Sequence, residues 1–281
     1  MTPPEELRYR PRGCFRSNHV GSHPSTEVGG FGVFRDQAPF LKYPDARRID
    51  LKASLRDPYG QIYVRRFERR QSIDVVAIVD LSASMGCGRA CDKVALSCKI
   101  VEALAYSATK IGDRFCLIGC DEGMRGNMLL PPTRSRSLAL GVGSRLRQEA
   151  FDGRSAKGFL KAAQALGVTR KLVCLISDFR WPHDVVLRVI DAFSAHDAIP
   201  IVVLDSSEET PPPWGLMELI DSESGDRRVL AMRPGLRRRW IERERERKFR
   251  LSRIAADRCR PPVFVRDVFD SGAISLQLMA A

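Results

Sequence analysis

Three short apolar runs, at residues 75–79, 171–177 and 199–204, dominate the pattern of this chain. Runs of this length, rich in β-branched residues and bounded by turn residues, predict central strands of a parallel sheet, buried on both faces. Between them the period changes. Val94, Ile100, Val101, Leu104 and Ala105 recur at helical intervals within a segment of about residues 90–111, which Gly112 and Asp113 end. Residues 114–120 follow as a strand, and 127–130 as a short one that Pro131 and Pro132 cut off. Helices are expected at 136–150, at 156–166, and from Trp181-Pro182 to about His196. This alternation predicts an α/β fold with a doubly wound, mostly parallel sheet.

The flanks read differently. Residues 1–70 are rich in glycine and proline, with Gly21, Gly29, Gly30 and Gly32. They suggest an irregular N-terminal arm with one strand at 61–67 that joins the sheet edge or forms a flap. Beyond Pro211-Pro212-Pro213 the pattern predicts an inserted β-hairpin at 214–233, turning around 221–225, and a basic helix at 234–259. A last strand is expected at 263–268, and residues 271–281 read as a C-terminal tail. The main domain is thus placed at 71–270.

With 281 residues the chain can bury a large core without staples. The opening residues, MTPPEE, have no basic or apolar leader region, and no apolar run approaches the ~18 residues of a membrane span. The expectation is a cytoplasmic protein. Its eight cysteines form no CxxC pair and read as reduced thiols, with Cys87, Cys91 and Cys98 on one helix face. The net charge is +12, concentrated in residues 1–70 (14 Lys or Arg against 8 Asp or Glu) and 237–260 (11 against 4). Such surfaces suit phosphates, which would make a nucleic-acid binder. Against that, Glu242, Glu244 and Glu246 alternate with arginines, and only Trp240 and Phe249 offer stacking. A solvated face, or a docking surface for an acidic partner, fits the helix better.

The candidate chemistry sits at strand ends. The first run delivers Asp80, Ser82 and Ser84, a set of hard oxygen donors suited to Mg²⁺. The same residues can serve as helix caps and an Asx turn. A second strand end delivers Asp178, and Ser155 lies in a loop between them in sequence; parallel strands bring such loops to one edge. Enzyme signatures are missing: no GxxxxGK[ST], GxSxG or HExxH occurs, so the chain is read as a binding module and not an enzyme. A metal-assisted phosphohydrolase would need a nearby base or cationic clamp, for which Asp121 or Arg154 are candidates by position in the chain.

The set Asp80, Ser82, Ser84, Ser155 and Asp178 resembles the metal-ion-dependent adhesion site (MIDAS) of von Willebrand factor A domains, with Ser155 where those domains carry threonine. In order and spacing, YPDARRID at 43–50, YVRRFE at 63–68 and DLSASM at 80–85 resemble the bacterial family called domain of unknown function 58, as does the hairpin segment. The wording LKASLRDP at 51–58 is similar to members from methanol-oxidation gene clusters. The resemblance implies a von Willebrand factor A-like fold and a Mg²⁺ ion, or Ca²⁺ or Mn²⁺, held by those five residues. It further implies an open coordination position for an Asp or Glu of a protein partner, either a MoxR-type AAA+ ATPase or a client matured with it. Arg47, Arg48, Arg65 and Arg66 are then candidates for docking the partner, or else fix the arm through pairs with Asp50 or Glu68.

Overall fold

The structure, a computed structural model, describes residues 4–13, 15, 20–28, 34–220 and 226–280. The hairpin turn expected around 221–225 and the glycines at 29, 30 and 32 lie outside the described residues. Two compact units are present, one of residues 14–73 and one of residues 1–13 with 74–281.

In the first unit, β1 (Val20–Val28), β2 (Phe34–Pro39) and β3 (Tyr63–Gln71) form an antiparallel sheet with β3 central. A one-turn helix, α1 (Leu51–Ser54), precedes β3, and the Asp50 carboxylate caps it by accepting the Ala53 N–H at 3.1 Å. The region expected as an irregular arm therefore builds a sheet of its own. The strand expected to end at 67 runs on to Gln71, because it has a pairing partner on each side.

The second unit opens with β4 (Asp74–Asp80), α2 (Lys93–Ile111), β5 (Arg114–Cys120), β6 (Met124–Thr133) and α3 (Arg136–Gln148). It continues with α4 (Gly158–Leu166), β7 (Leu172–Ser177), α5 (His183–Ala192), β8 (Asp197–Leu204) and the short α6 (Ser206–Glu209). The hairpin β9 (Gly215–Ile220) and β10 (Arg227–Met232), α7 (Pro234–Ala256), β11 (Val263–Arg266) and α8 (Ser271–Met279) complete it. Six strands form one sheet in the order β11-β8-β7-β4-β5-β6, and only β6 runs antiparallel. This is a doubly wound α/β sheet whose first strand lies inside it. All seven residues of β4 are buried. Val76 and Ile78 share one buried cluster with Phe159 of α4, Val189 and Ile190 of α5, and Leu251 and Ile254 of α7, while α2 and α3 pack together over β4 and β5.

Several boundaries move for physical reasons. β6 runs through Pro131 and Pro132 instead of stopping there; it is an edge strand, both prolines are exposed, and the register with β5 shifts beside them. The helix expected from about residue 90, α2, starts at Lys93, where Asp92 accepts the Ala95 N–H at 2.9 Å, so Cys87 and Cys91 precede it and share no helix face with Cys98. The supposed tail folds as α8, with Asp270 as N-cap and Ile274 and Leu278 buried. Residues 4–13 pack within the second unit: Leu7 is buried and its N–H donates to Ser107 Oγ at 2.8 Å, and the buried Tyr9 hydroxyl donates to Asp113 at 2.7 Å. Among the described residues, no helix is long and apolar enough to cross a membrane.

Candidate functional site

β5 and β7 flank β4, and strand order runs outward in one direction through β5 and β6 and in the other through β7, β8 and β11, so the crevice of a doubly wound sheet lies at the carboxyl ends of β4 and β7. Asp80 closes β4 there, fully buried. Its Oδ1 accepts the Ser82 N–H at 2.9 Å, and its Oδ2 accepts Ser177 Oγ at 2.6 Å and Trp181 Nε1 at 3.2 Å. Burial pushes the carboxyl up to about 7, and Asp178 adds to the rise despite these bonds. Asp80 thus forms the Asx turn that its sequence allows. Ser82 and Ser84 cap no helix, because Asp92 has that role at α2; their hydroxyls instead lie 3.1 Å apart.

The loop carrying Ser155 is held against this turn by backbone. Ser82 and Gly153 form a parallel bridge, the Ala83 N–H donates to Gly153 O at 2.8 Å, and the Gly153 N–H to Leu81 O at 3.1 Å. A Cβ on Gly153 would stand 2.5 Å from Asp121 Cβ and 3.1 Å from Leu81 O. Gly153→Ala is therefore expected to lower stability by about 1–3 kcal/mol through overpacking, measurable by thermal unfolding. Ser155 Oγ is buried and has no hydrogen-bond partner among the described residues, although a buried hydroxyl ordinarily has one.

Asp178 follows β7, the fourth strand of this sheet in chain order, and is almost wholly buried. Its Oδ1 accepts the Arg180 N–H at 3.1 Å. The next residue, Phe179, takes φ = 50°, a left-handed conformation that a bulky side chain rarely adopts. The sequence reading missed the main contact of Asp178. Lys93, with no side-chain exposure, donates to Asp178 Oδ2 at 3.2 Å and to Ser84 O at 3.0 Å, and pairs with Glu208 Oε1 at 2.7 Å. Burial alone would lower its pKa, but Asp178 and Glu208 raise it, so the ammonium persists. One signal was visible: a lysine at the first position of a helix opposes the helix dipole and needs carboxylates elsewhere.

Of the remaining candidates, Asp121, Arg48, Arg65 and Arg66 have charged side-chain partners. Asp121, despite the upward push of burial, is held below its usual range by Arg125, which donates to it at 2.5 Å and also binds Glu149 and Asp152. Arg154 is exposed, and its N–H donates to Glu122 at 2.5 Å. In the other unit Arg65 pairs with Asp50 at 2.9 Å, and Arg66 clamps Asp36 and lies 4.7 Å over the Tyr43 ring. Arg48 pairs with Asp45 at 3.1 Å, and Arg47 is exposed.

Among the described residues, no group of three His, Cys, Asp or Glu is placed to hold a metal. A cation at this edge would therefore draw on hydroxyls as well as carboxylates. The hydroxyls of Ser82 and Ser84, the Ser155 hydroxyl without a partner among the described residues, and the buried carboxylates of Asp80 and Asp178 are a donor set of the kind a hard divalent ion takes.

Residues 42–250 match the family described as "Protein of unknown function DUF58". A curated relative from Paracoccus denitrificans, described as "Uncharacterized protein in moxR 3'region", is 34% identical over 106 residues, 36% of this chain and 97% of that protein. Among solved structures, the conserved hypothetical protein BatB from Bacteroides thetaiotaomicron aligns with a TM-score of 0.46 and 13% identity, over 74% of this chain and 97% of BatB. The SpRpn10 VWA domain aligns with a TM-score of 0.39 and 11% identity, over 74% of this chain and 94% of that domain.

Proposed function

Because this chain belongs to the DUF58 family, we propose that the carboxyl edge of its sheet is a divalent-cation site through which it binds a protein partner, without catalysing a reaction. The observation that carries this reading is the buried Ser155 Oγ, without a hydrogen-bond partner among the described residues, two residues after the Gly153 that bridges to Ser82, whose hydroxyl pairs with that of Ser84. Asp80, Ser82, Ser84, Ser155 and Asp178 would hold the ion, Mg²⁺ first among Mg²⁺, Ca²⁺ and Mn²⁺. When bound, it would supply an electrophilic position for a carboxylate from outside. What this chain contributes is orientation. Ser177 and Trp181 fix the rotamer of Asp80, and the Ala83 to Gly153 bond ties the backbone of the loop that carries Ser155 to the turn that carries Ser82 and Ser84. Asp121, the carboxylate singled out by position as a base, is committed to Arg125, which favours binding over hydrolysis.

The partner presents an Asp or Glu. The relative encoded in a moxR 3' region, together with the resemblance in the sequence, supports a cytoplasmic MoxR-type AAA+ ATPase or its client as that partner. Nucleic acid is the weaker candidate. On α7, Arg247 and Lys248 are engaged with Glu244 and Glu209, Arg237 with Pro211 O, and Glu242 and Glu246 stand among the exposed arginines.

The test is calorimetric titration of Mg²⁺ into chelator-treated protein. Asp80→Ala is expected to abolish saturable binding, and Ser155→Ala to weaken it by about tenfold or more, with unchanged circular dichroism. Capture of a co-encoded AAA+ ATPase should need Mg²⁺ and be reversed by chelator. Binding that ignores chelator but falls steeply with salt would instead favour nucleic acid.

A further inference from the structure

The geometry points to Lys93 as an internal cation of this site, one that shares Asp178 with the divalent ion, limits the affinity for it, and withdraws onto Glu208 when the ion binds. This inference rests on the cation reading above and specifies its regulation. The ammonium has three protons and three acceptors, Ser84 O at 3.0 Å, Asp178 Oδ2 at 3.2 Å and Glu208 Oε1 at 2.7 Å, and is closed off from solvent. One of these acceptors, Asp178 Oδ2, is an oxygen of the cation set, and Ser84 O is the backbone carbonyl of another member, so Lys93 competes with the ion for the Asp178 carboxylate while lying against the same turn. The third, Glu208 Oε1, lies outside that set, and it is the shortest contact of the three. A withdrawal position is therefore already built.

Glu208 is itself fixed. Arg180 Nε binds its other oxygen at 3.1 Å while Arg180 Nη1 binds Glu244 at 2.9 Å. Arg247 closes the ring, binding Glu244 at 3.0 Å and donating to Asp178 O at 2.9 Å. Asp178, Lys93, Glu208, Arg180, Glu244 and Arg247 thus form one continuous polar ring that joins the strand end to α7. Loss of the Lys93 contact leaves Asp178 anchored by its Oδ1 and its carbonyl, so the carboxylate keeps its position as the ammonium moves.

Lys93→Met keeps the stem and removes the charge; Lys93→Arg keeps the charge. Calorimetry with Mg²⁺ and with Mn²⁺ is expected to show Lys93→Met binding at least about tenfold more tightly than wild type, since a like charge at this range opposes the ion strongly at low dielectric. Lys93→Arg should stay within a few-fold of wild type. If wild type binds, Asp80→Ala does not, and folded Lys93→Met binds no more tightly, the role of Lys93 is overturned while the cation reading stands. If neither wild type nor folded Lys93→Met binds either ion, both fall. Binding by Lys93→Met alone would support the inference. Should Lys93→Met fail to fold, nitrogen-15 spectra of the wild-type Lys93 ammonium decide. Its signal should shift with Mg²⁺ and saturate with the calorimetric affinity, and a signal indifferent to saturating Mg²⁺ would overturn the inference.

Discussion

Arg260→Ala is expected to destabilise the larger unit by about 3–5 kcal/mol, lowering Tm on the order of 10 °C. The side chains of Arg260 and Asp197 are each only 3% exposed, and the guanidinium binds both carboxylate oxygens, at 2.8 and 2.6 Å. Its remaining donors reach Leu278 O at 2.8 Å, at the end of α8, and Arg10 O in the N-terminal segment. Truncation would leave the Asp197 carboxylate buried without its charged partner, still accepting the Arg12 N–H at 2.6 Å, and would remove the ties to both terminal segments. Differential scanning calorimetry of Arg260→Ala beside Arg260→Met/Asp197→Asn separates these effects. The double variant should recover part of the loss, because removing both charges spares the desolvated carboxylate. A loss below ~1 kcal/mol in Arg260→Ala would mean that solvent reaches the pair.

The same clamp shows why parts of the chain were hard to read. Strand runs such as 75–79 announce themselves because burial on both faces demands an unbroken apolar sequence. The two carboxylates at strand ends follow from the sheet's parallel order alone. Residues 4–13 and α8 gave no such signal, since each buries only two large apolar side chains, Leu7 with Tyr9 and Ile274 with Leu278, and each is fixed largely by polar contacts to distant residues. Lys93 escaped for the same reason: its carboxylate partners lie far along the chain, Asp178 after β7 and Glu208 on α6, and local pattern carries no information on which distant segments meet. Pro131 and Pro132 misled in the other direction. Proline stops a strand that needs every N–H, and an edge strand does not.

Phe159→Ala is the other variant expected to cost much, about 3–5 kcal/mol for an aromatic removed from a packed interior. Phe159, the second residue of α4, is fully buried, and its ring meets Trp181 edge-on at 4.9 Å; Phe179 lies 4.9 Å from the same indole on a tilt. These rings form the floor beneath Asp80, because the indole N–H is one of the two side-chain donors to Asp80 Oδ2. A cavity at 159 therefore loosens the site as well as the core. Trp181→Phe separates the two contributions: it keeps a ring in the cluster and deletes the donor, so its loss should be smaller, about 1–3 kcal/mol for a buried acceptor deprived of one partner. Urea denaturation followed by circular dichroism gives both losses, and indole fluorescence of Phe159→Ala reports whether Trp181 has moved. A Phe159→Ala protein as stable as wild type would mean that neighbouring chains refill the space, and Trp181 would then hold Asp80 without the support of α4.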